Sequence, residues 1–291
     1  MNKTISKMTF AVAAAVLSLT SCVKDDLYHT PHPDKGAVAV TTDWADALGE
    51  ETVPEEYSAR MDGGSALAVR GSVFTCPQLL SPGGHTLFLY NEPQGIAVSG
   101  TSATVNSLAD GTLEPLPEYL FSAVQELDVQ PDDTLRVTVP MVRRLCPVTM
   151  RLRLTGNNAA NVARVEAMLG GVAGSVDLQS GSIGTDSHTV SPHVRMPADG
   201  GNGVSAAGLL EMSCRVAGVV PQERQLLTVT VTMDDGYAAA IVSDLSEYLR
   251  PINTGMRPVV IEGTVEAPQD GHFNGSIEDW EVAEGPDVDA H

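Results

Sequence analysis

Val148-Thr149-Met150-Arg151-Leu152-Arg153-Leu154-Thr155 alternates apolar and polar side chains without a break. A period of two is what an extended chain needs to lay one face on a core and the other in water. The pattern recurs upstream, where Leu135, Val137, Val139 and Met141 are separated by Arg136, Thr138 and Pro140. It recurs downstream, where Leu227, Val229, Val231 and Met233 are separated by threonines. These segments predict half-buried strands of an antiparallel sandwich. Weaker alternation predicts further strands at 37–42, 66–69, 85–90, 96–98, 120–127, 162–168, 172–178, 188–196, 209–219, 238–243 and 257–265. Gly83-Gly84, Asp110-Gly111, Gly200-Gly201-Asn202-Gly203 and Asp234-Asp235-Gly236 supply turns between them. Helix is predicted only over Asp43–Leu48 and Asp244–Leu249, with Pro251 stopping the second. The fold class is all-β.

A chain of 291 residues exceeds what one ordinary core requires. The stretch Thr155–Asn161 reads as the junction, giving one sandwich over 36–147 and a second over 148–291 that includes a C-terminal tail. The balance of 17 Lys+Arg against 37 Asp+Glu leaves a net charge of −20, which repels phosphate backbones and excludes nucleic acid as a partner.

The four lysines stand at 3, 7, 24 and 35, so 13 of the 17 basic residues are arginines and the folded part has no lysine. That rules out a phosphate-loop lysine, a Schiff base and a Lys–Asn cross-link. After Lys35 no nucleophile elbow, His-Glu-x-x-His, Ser-x-x-Lys, Gly-x-Gly-x-x-Gly or Cys-x-x-Cys is present. The chain is read as a non-enzyme without cofactor or metal. His29 and His32 sit in a Pro-rich linker with no further ligand beside them. Asp132-Asp133 and Asp234-Asp235 read as turn residues rather than calcium ligands.

The N-terminal end is a targeting segment. Lys3 and Lys7 precede an uncharged apolar run from Met8 to Leu19, too short for the roughly 20 residues of a membrane-spanning helix. Residues 1–21 therefore read as a signal peptide. Leu19-Thr20-Ser21-Cys22 resembles the lipobox of bacterial lipoproteins, which makes Cys22 the acylated residue. Lys24, Asp25 and Asp26 resemble the surface-export signal of Bacteroidetes lipoproteins. Residues 22–35 become a lipidated tether, and the protein is placed at the cell surface on the outer membrane, held by lipid chains on Cys22. Cys146 and Cys214 lie in strand-like stretches and read as small buried hydrophobes. A Cys76–Cys146 disulfide is left open.

Cys22 with Asp25-Asp26-Leu27-Tyr28, then His32-Pro33, Gly36-Ala37-Val38 and Asp43-Trp44, form the start of an ordered series. It continues through Gly83-Gly84-His85-Thr86-Leu87-Phe88-Leu89-Tyr90-Asn91, Pro117-Glu118-Tyr119-Leu120-Phe121, Val139-Pro140-Met141-Val142-Arg143-Arg144-Leu145 and Leu169-Gly170-Gly171-Val172. This series resembles the fimbrillin-like lipoproteins of Bacteroidales, in particular the fimbrial anchor and minor-subunit branch. The resemblance implies two transthyretin-like antiparallel β-sandwich domains with Greek-key connections. It also implies a fimbrial (pilus) anchor or accessory subunit that meets other fimbrial subunits by β-strand addition. Ile277-Glu278-Asp279-Trp280 is similar to the family's C-terminal end, so Ile277 and Trp280 are candidates either for strand exchange or for plugging their own core. Cleavage at Arg60 or Arg70, which would open a shaft subunit, is disfavoured because it would discard the tether; both are expected to be solvated strand-edge residues. The competing reading is a surface glycan-binding lipoprotein, which would present an aromatic platform; aromatics make up only 4% of the chain.

Overall fold

The computed structural model describes residues 34–49, 52–155, 162–195, 209–266, 277 and 280–283. Within them the chain forms two β-sandwiches joined by a small third sheet.

In the N-terminal sandwich, β1 (Ala37–Asp43) lies between β4 (Val73–Thr75) and β9 (Thr134–Pro140). The facing sheet has the order β10 (Val142–Arg143), β8 (Phe121–Val129), β5 (Gly83–Tyr90), β2 (Glu56–Met61), β3 (Leu67–Arg70). The inward residues of β1, Val38 and Val40, meet Tyr57, Leu87, Leu89 and Phe121 of the other sheet.

In the C-terminal sandwich one sheet runs β15 (His193–Arg195), β16 (Leu209–Val216), β11 (Cys146–Thr155), β19 (Val259–Glu266), β20 (Glu281–Val282). The other runs β14 (Ser187–Val190), β12 (Val162–Ala173), β17 (Leu226–Met233), β18 (Ala238–Asp244). Val148, Met150, Leu152 and Leu154 of β11 all point inward, as their alternation predicts, and Leu227, Val229, Val231 and Met233 of β17 face them.

Period two fixes which face is buried but not which way a neighbour runs. Most pairs are antiparallel, yet β1 pairs with β9 in parallel and β11 pairs with β19 in parallel. In each sandwich the first strand therefore lies beside a late one that points the same way.

Several elements differ from the sequence reading. Asp43–Leu48 is not a helix: β1 runs through Asp43, whose carboxylate caps the Ala45 N–H, and turns follow. Trp44 is drawn into the core, edge-on to Tyr57 and Phe121, with its Nε1–H donated to Thr42 Oγ1 at 2.9 Å. That packing outweighs local helix preference. The segment expected at 162–168 is part of a longer strand, β12, which bulges between Leu169 and Val172 where Gly171 adopts a φ of 74°, and the segment expected at 172–178 is divided between the end of β12 and a separate short strand, β13 (Ser175–Asp177). The second helix is short, α1 (Ser246–Leu249), and Pro251 lies inside a following 3-10 turn, Arg250–Thr254, instead of stopping the chain. β2, β4, β10 and β20 were not anticipated, nor was β7 (Ser102–Val105).

The third sheet joins the sandwiches. β6 (Ile96–Ser99) and β7 form a hairpin that leaves the N-terminal sandwich and pairs with β13 (Ser175–Asp177) of the second. Phe88, Tyr90, Leu120, Leu145, Val176 and Leu178 fill a separate core beneath it. Two arginines fasten the same join. Buried Arg143 donates Nη1–H to Asp46 O at 2.9 Å and Nη2–H to Met256 O at 2.6 Å. Arg144 donates Nε–H to Ser122 Oγ at 2.7 Å, and that hydroxyl donates to Leu178 O at 2.6 Å.

Candidate assembly site

Cys22, Lys24, Asp25 and Asp26 lie outside the described residues, as do His29 and His32. The described residues begin at Asp34, just before β1. Gly36 exchanges two backbone hydrogen bonds with Leu80, each 2.9 Å, and the Ala37 N–H reaches Asp133 O. A β-carbon on Gly36 would lie 2.3 Å from Gln130 O and 2.5 Å from Val129 Cγ1. Only glycine fits where the chain passes under the end of β8.

Beside this point the N-terminal sandwich is open. A cleft of about 380 Å³ runs between the β2–β3 side and the chain after β4, lined mainly by Ala59, Met61, Leu67, Phe74, Leu80 and Leu87. Cys76 also lines it, and burial raises its thiol pKa. Across the same sandwich, no described strand lies outside β9.

The C-terminal sandwich is closed at the corresponding place. β20 pairs antiparallel with the outer edge of β19, Ile261 opposite Val282 and Glu262 opposite Glu281. Ile277 and Trp280 are both buried in the core of this sandwich. Their seat is Gly263: a β-carbon there would lie 2.9 Å from Ile277 Cγ2 and 3.0 Å from Trp280 Cε3. Tyr248 Oη donates to Trp280 O at 2.8 Å. The signal that could have located this seat is a lone glycine in the interior of a strand, between Glu262 and Thr264, which marks the close approach of another group.

Arg70 is solvated at the edge of the sheet, paired with Glu56 at 2.9 Å. Arg60 is not. It is only partly exposed, on the inner strand β2, with its guanidinium 5.1 Å from the Tyr90 ring centroid. Aromatic burial drew it onto the sheet face.

Among the described residues no aromatic side chain is exposed. Tyr119 comes nearest to a platform, beside a cleft of about 600 Å³ that also carries Glu55, Glu56, Glu92 and Glu118, but Arg215 stacks over its ring at 4.1 Å. Among the described residues no three His, Cys, Asp or Glu side chains group as a metal site. Cys76, Cys146 and Cys214 are free thiols. Burial pushes Cys146 and Cys214 up to about 12, so both behave as apolar core groups.

Residues 80–284 match the family of fimbrillin-A associated anchor proteins Mfa1 and Mfa2. Among solved structures, the fimbrial anchor protein Mfa2 from Porphyromonas gingivalis aligns with a TM-score of 0.59 at 12% identity, over 85% of this chain and 97% of that one. A candidate adhesin from Bacteroides ovatus aligns with a TM-score of 0.53 at 16% identity, over 91% of this chain and 99% of that one. A candidate polysaccharide-binding protein from Bacteroides thetaiotaomicron aligns with a TM-score of 0.52 at 11% identity, over 80% of this chain and 92% of that one. At such identities these structures share the fold. No curated protein sequence matches the chain. The family match begins at Leu80, which pairs with Gly36 just before β1, and runs through the second sandwich past the buried Trp280; the chain belongs to the fimbrillin-A associated anchor proteins.

Proposed function

We propose that this protein is a surface lipoprotein of the outer membrane that acts as a fimbrial anchor or accessory subunit, held by acyl chains on Cys22 and joined to other subunits by β-strand addition. The observation that carries the reading is the open N-terminal sandwich: an apolar cleft on one side and, on the other, the outer edge of β9 with no described strand against it. In strand addition an incoming backbone satisfies the edge while alternate side chains fill apolar positions. Lys24, Asp25 and Asp26 direct the lipidated chain outward, and residues 22–35 give it reach. Ile277 and Trp280 serve as a plug of the second sandwich, a role their burial against Gly263 supports. The domain limits 36–147 and 148–291 are retained as the two units that carry these roles.

The glycan-binding alternative draws on the polysaccharide-binding description of one structural neighbour, but it calls for ring faces open to a sugar. Here the described rings are buried or half-buried, and Tyr119 is covered by Arg215.

The test is recovery of the full-length protein from outer membranes in mild detergent, run before and after boiling, beside a Cys22→Ala form. The anchor reading expects a ladder of complexes that collapses on boiling and a Cys22→Ala protein shed to the medium. A lone monomer in every lane would overturn the assembly part. Membrane retention of Cys22→Ala would overturn the lipid part.

A further inference from the structure

We propose that the two parallel strand pairs, β1 with β9 and β11 with β19, act in series as shear clamps that carry tension from the tether into the molecule. The use of such clamps on a cell rests on the anchor reading; their mechanical behaviour does not.

The argument is one of direction. The tether meets the fold at Ala37, which lies opposite Thr134, and the pairing runs in register to Asp43 opposite Pro140. At that far end the chain leaves β9 through Met141, whose N–H bonds to Asp43 O at 2.8 Å, and passes through β10 into the second sandwich. The arginine contacts of the join lie at this end too, since the Arg143 N–H donates to the Asp46 carboxylate just beyond β1. Tension on the tether, resisted by the second sandwich, therefore pulls β1 and β9 in opposite directions along their common axis. Every ladder hydrogen bond then shares the load. Had the two strands run antiparallel, the load would have acted at one end and opened the bonds one after another.

The second sandwich repeats the geometry. β11 is loaded at Cys146, β19 also starts at the join, where Cys146 Sγ donates to Arg257 O, and the pairing runs from Val148 opposite Val259 to Thr155 opposite Glu266. The loaded strands are also fixed sideways. Val38 and Val40 of β1, and Val148, Met150 and Leu152 of β11, are fully buried. Sliding either pair drags apolar side chains out of their seats together with the ladder, which raises the barrier that governs forced unfolding.

Single-molecule pulling on the soluble mature chain tests this, with handles at its two ends. After the short β20 is peeled away, two separate ruptures are expected, each releasing on the order of 350–400 Å of chain. In a second version the N-terminal handle moves to the loop at Gly49, so that load reaches the first sandwich from the join end and bypasses β1. The N-terminal rupture force is then expected to fall roughly twofold or more, while the C-terminal one, loaded identically in both versions, stays constant. Val40→Ala, pulled from the two ends, should weaken the N-terminal rupture alone. An N-terminal rupture force that is unchanged or higher from Gly49 would overturn the proposal. So would a Val40→Ala chain that ruptures at wild-type force. A failed clamp beside a heat-labile ladder leaves the anchor reading standing, and a working clamp without a ladder removes that reading alone.

Discussion

β19 carries β20 on its outer edge and a buried tryptophan across its middle, whereas β9, which stands in the same position beside β1, has no described strand outside it. The inner neighbours differ in the same sense. β11 is paired with β16 over eight residues, but β1 is paired with β4 over only three, and Val73 of β4 is largely exposed. One architecture is thus built twice, once closed and once open. A closed sheet suits a domain that must persist, and an uncapped edge with an apolar cleft across the same sandwich suits one that must accept a neighbour.

The largest effect should come from breaking the closure. Trp280→Ala empties a buried site and is expected to cost about 3–5 kcal/mol in the C-terminal sandwich. The composition offers a direct readout, because Trp44 lies in the first sandwich and Trp280 in the second. In the variant all emission comes from Trp44. Chemical denaturation should show the Trp44 transition nearly in place while far-UV dichroism gains an earlier one. If the Trp44 transition moves by the full amount, the two sandwiches melt as one unit and the contrast between them is not energetic.

The join decides how far that contrast survives. Arg143→Met removes the donors to Asp46 O and Met256 O, leaving two carbonyls short of a partner at a buried place. The expected cost is about 1–3 kcal/mol, accompanied by a wider gap between the two sandwiches' melting temperatures in calorimetry. A single unshifted transition would show that the β6–β7–β13 sheet alone couples them. Gly36→Ala probes the open sandwich at its entry. The added methyl meets backbone at Gln130 O, which side-chain rotation cannot relieve, and overpacking of this kind costs about 1–3 kcal/mol. The loss should fall on the Trp44 transition. An unchanged Trp44 transition would mean that the entry of β1 yields at no cost.

Much of this was legible in the sequence, for reasons that differ by element. β11 and β17 announce themselves because each has one wet face and one dry face, so alternation records their burial directly. β4 and β20 do not, being too short for a period to register. Asp43–Leu48 misled because a polar start and small residues suit a helix locally, while Trp44 had a better place against Phe121. The parallel pairing was invisible because strand direction depends on which strands meet, a property of the whole chain. Ile277 and Trp280 could be picked out by their likeness to the family's C-terminal end, but their seat on Gly263 required the fold. Arg143 was visible only as part of a family-like series, since its partners at Asp46 and Met256 are far away in sequence.

The smallest expected effect separates the sandwiches by pH. In the first, His85 Nδ1 lies 2.6 Å from Asp62 Oδ2 and Nε2 lies 2.8 Å from Ser81 O. The Asp62 contact, followed by the Ser81 carbonyl, raises the His85 pKa above its ordinary 6.5. His85, then the Thr86 N–H, lowers the Asp62 pKa below its ordinary 3.8. A raised histidine contributes stability that is complete below its unfolded value and lost as pH rises through the folded one. A lowered carboxylate contributes above its unfolded value and loses it as pH falls. Both hold between about pH 4 and 6.5. Asp62 is half exposed, so the pair is screened and worth only about 0.2–1 kcal/mol. The Trp44 transition should therefore weaken by that amount between about pH 6 and 8, and His85→Gln should flatten the slope. In the second sandwich Asp244 is held at about 2, first by the Ser246 hydroxyl and then by the Ser246 N–H and Arg224. Its contribution is constant across that window, so the Trp280 transition should not follow. A matching slope in both transitions would trace the pH effect to the join and remove His85 as its source.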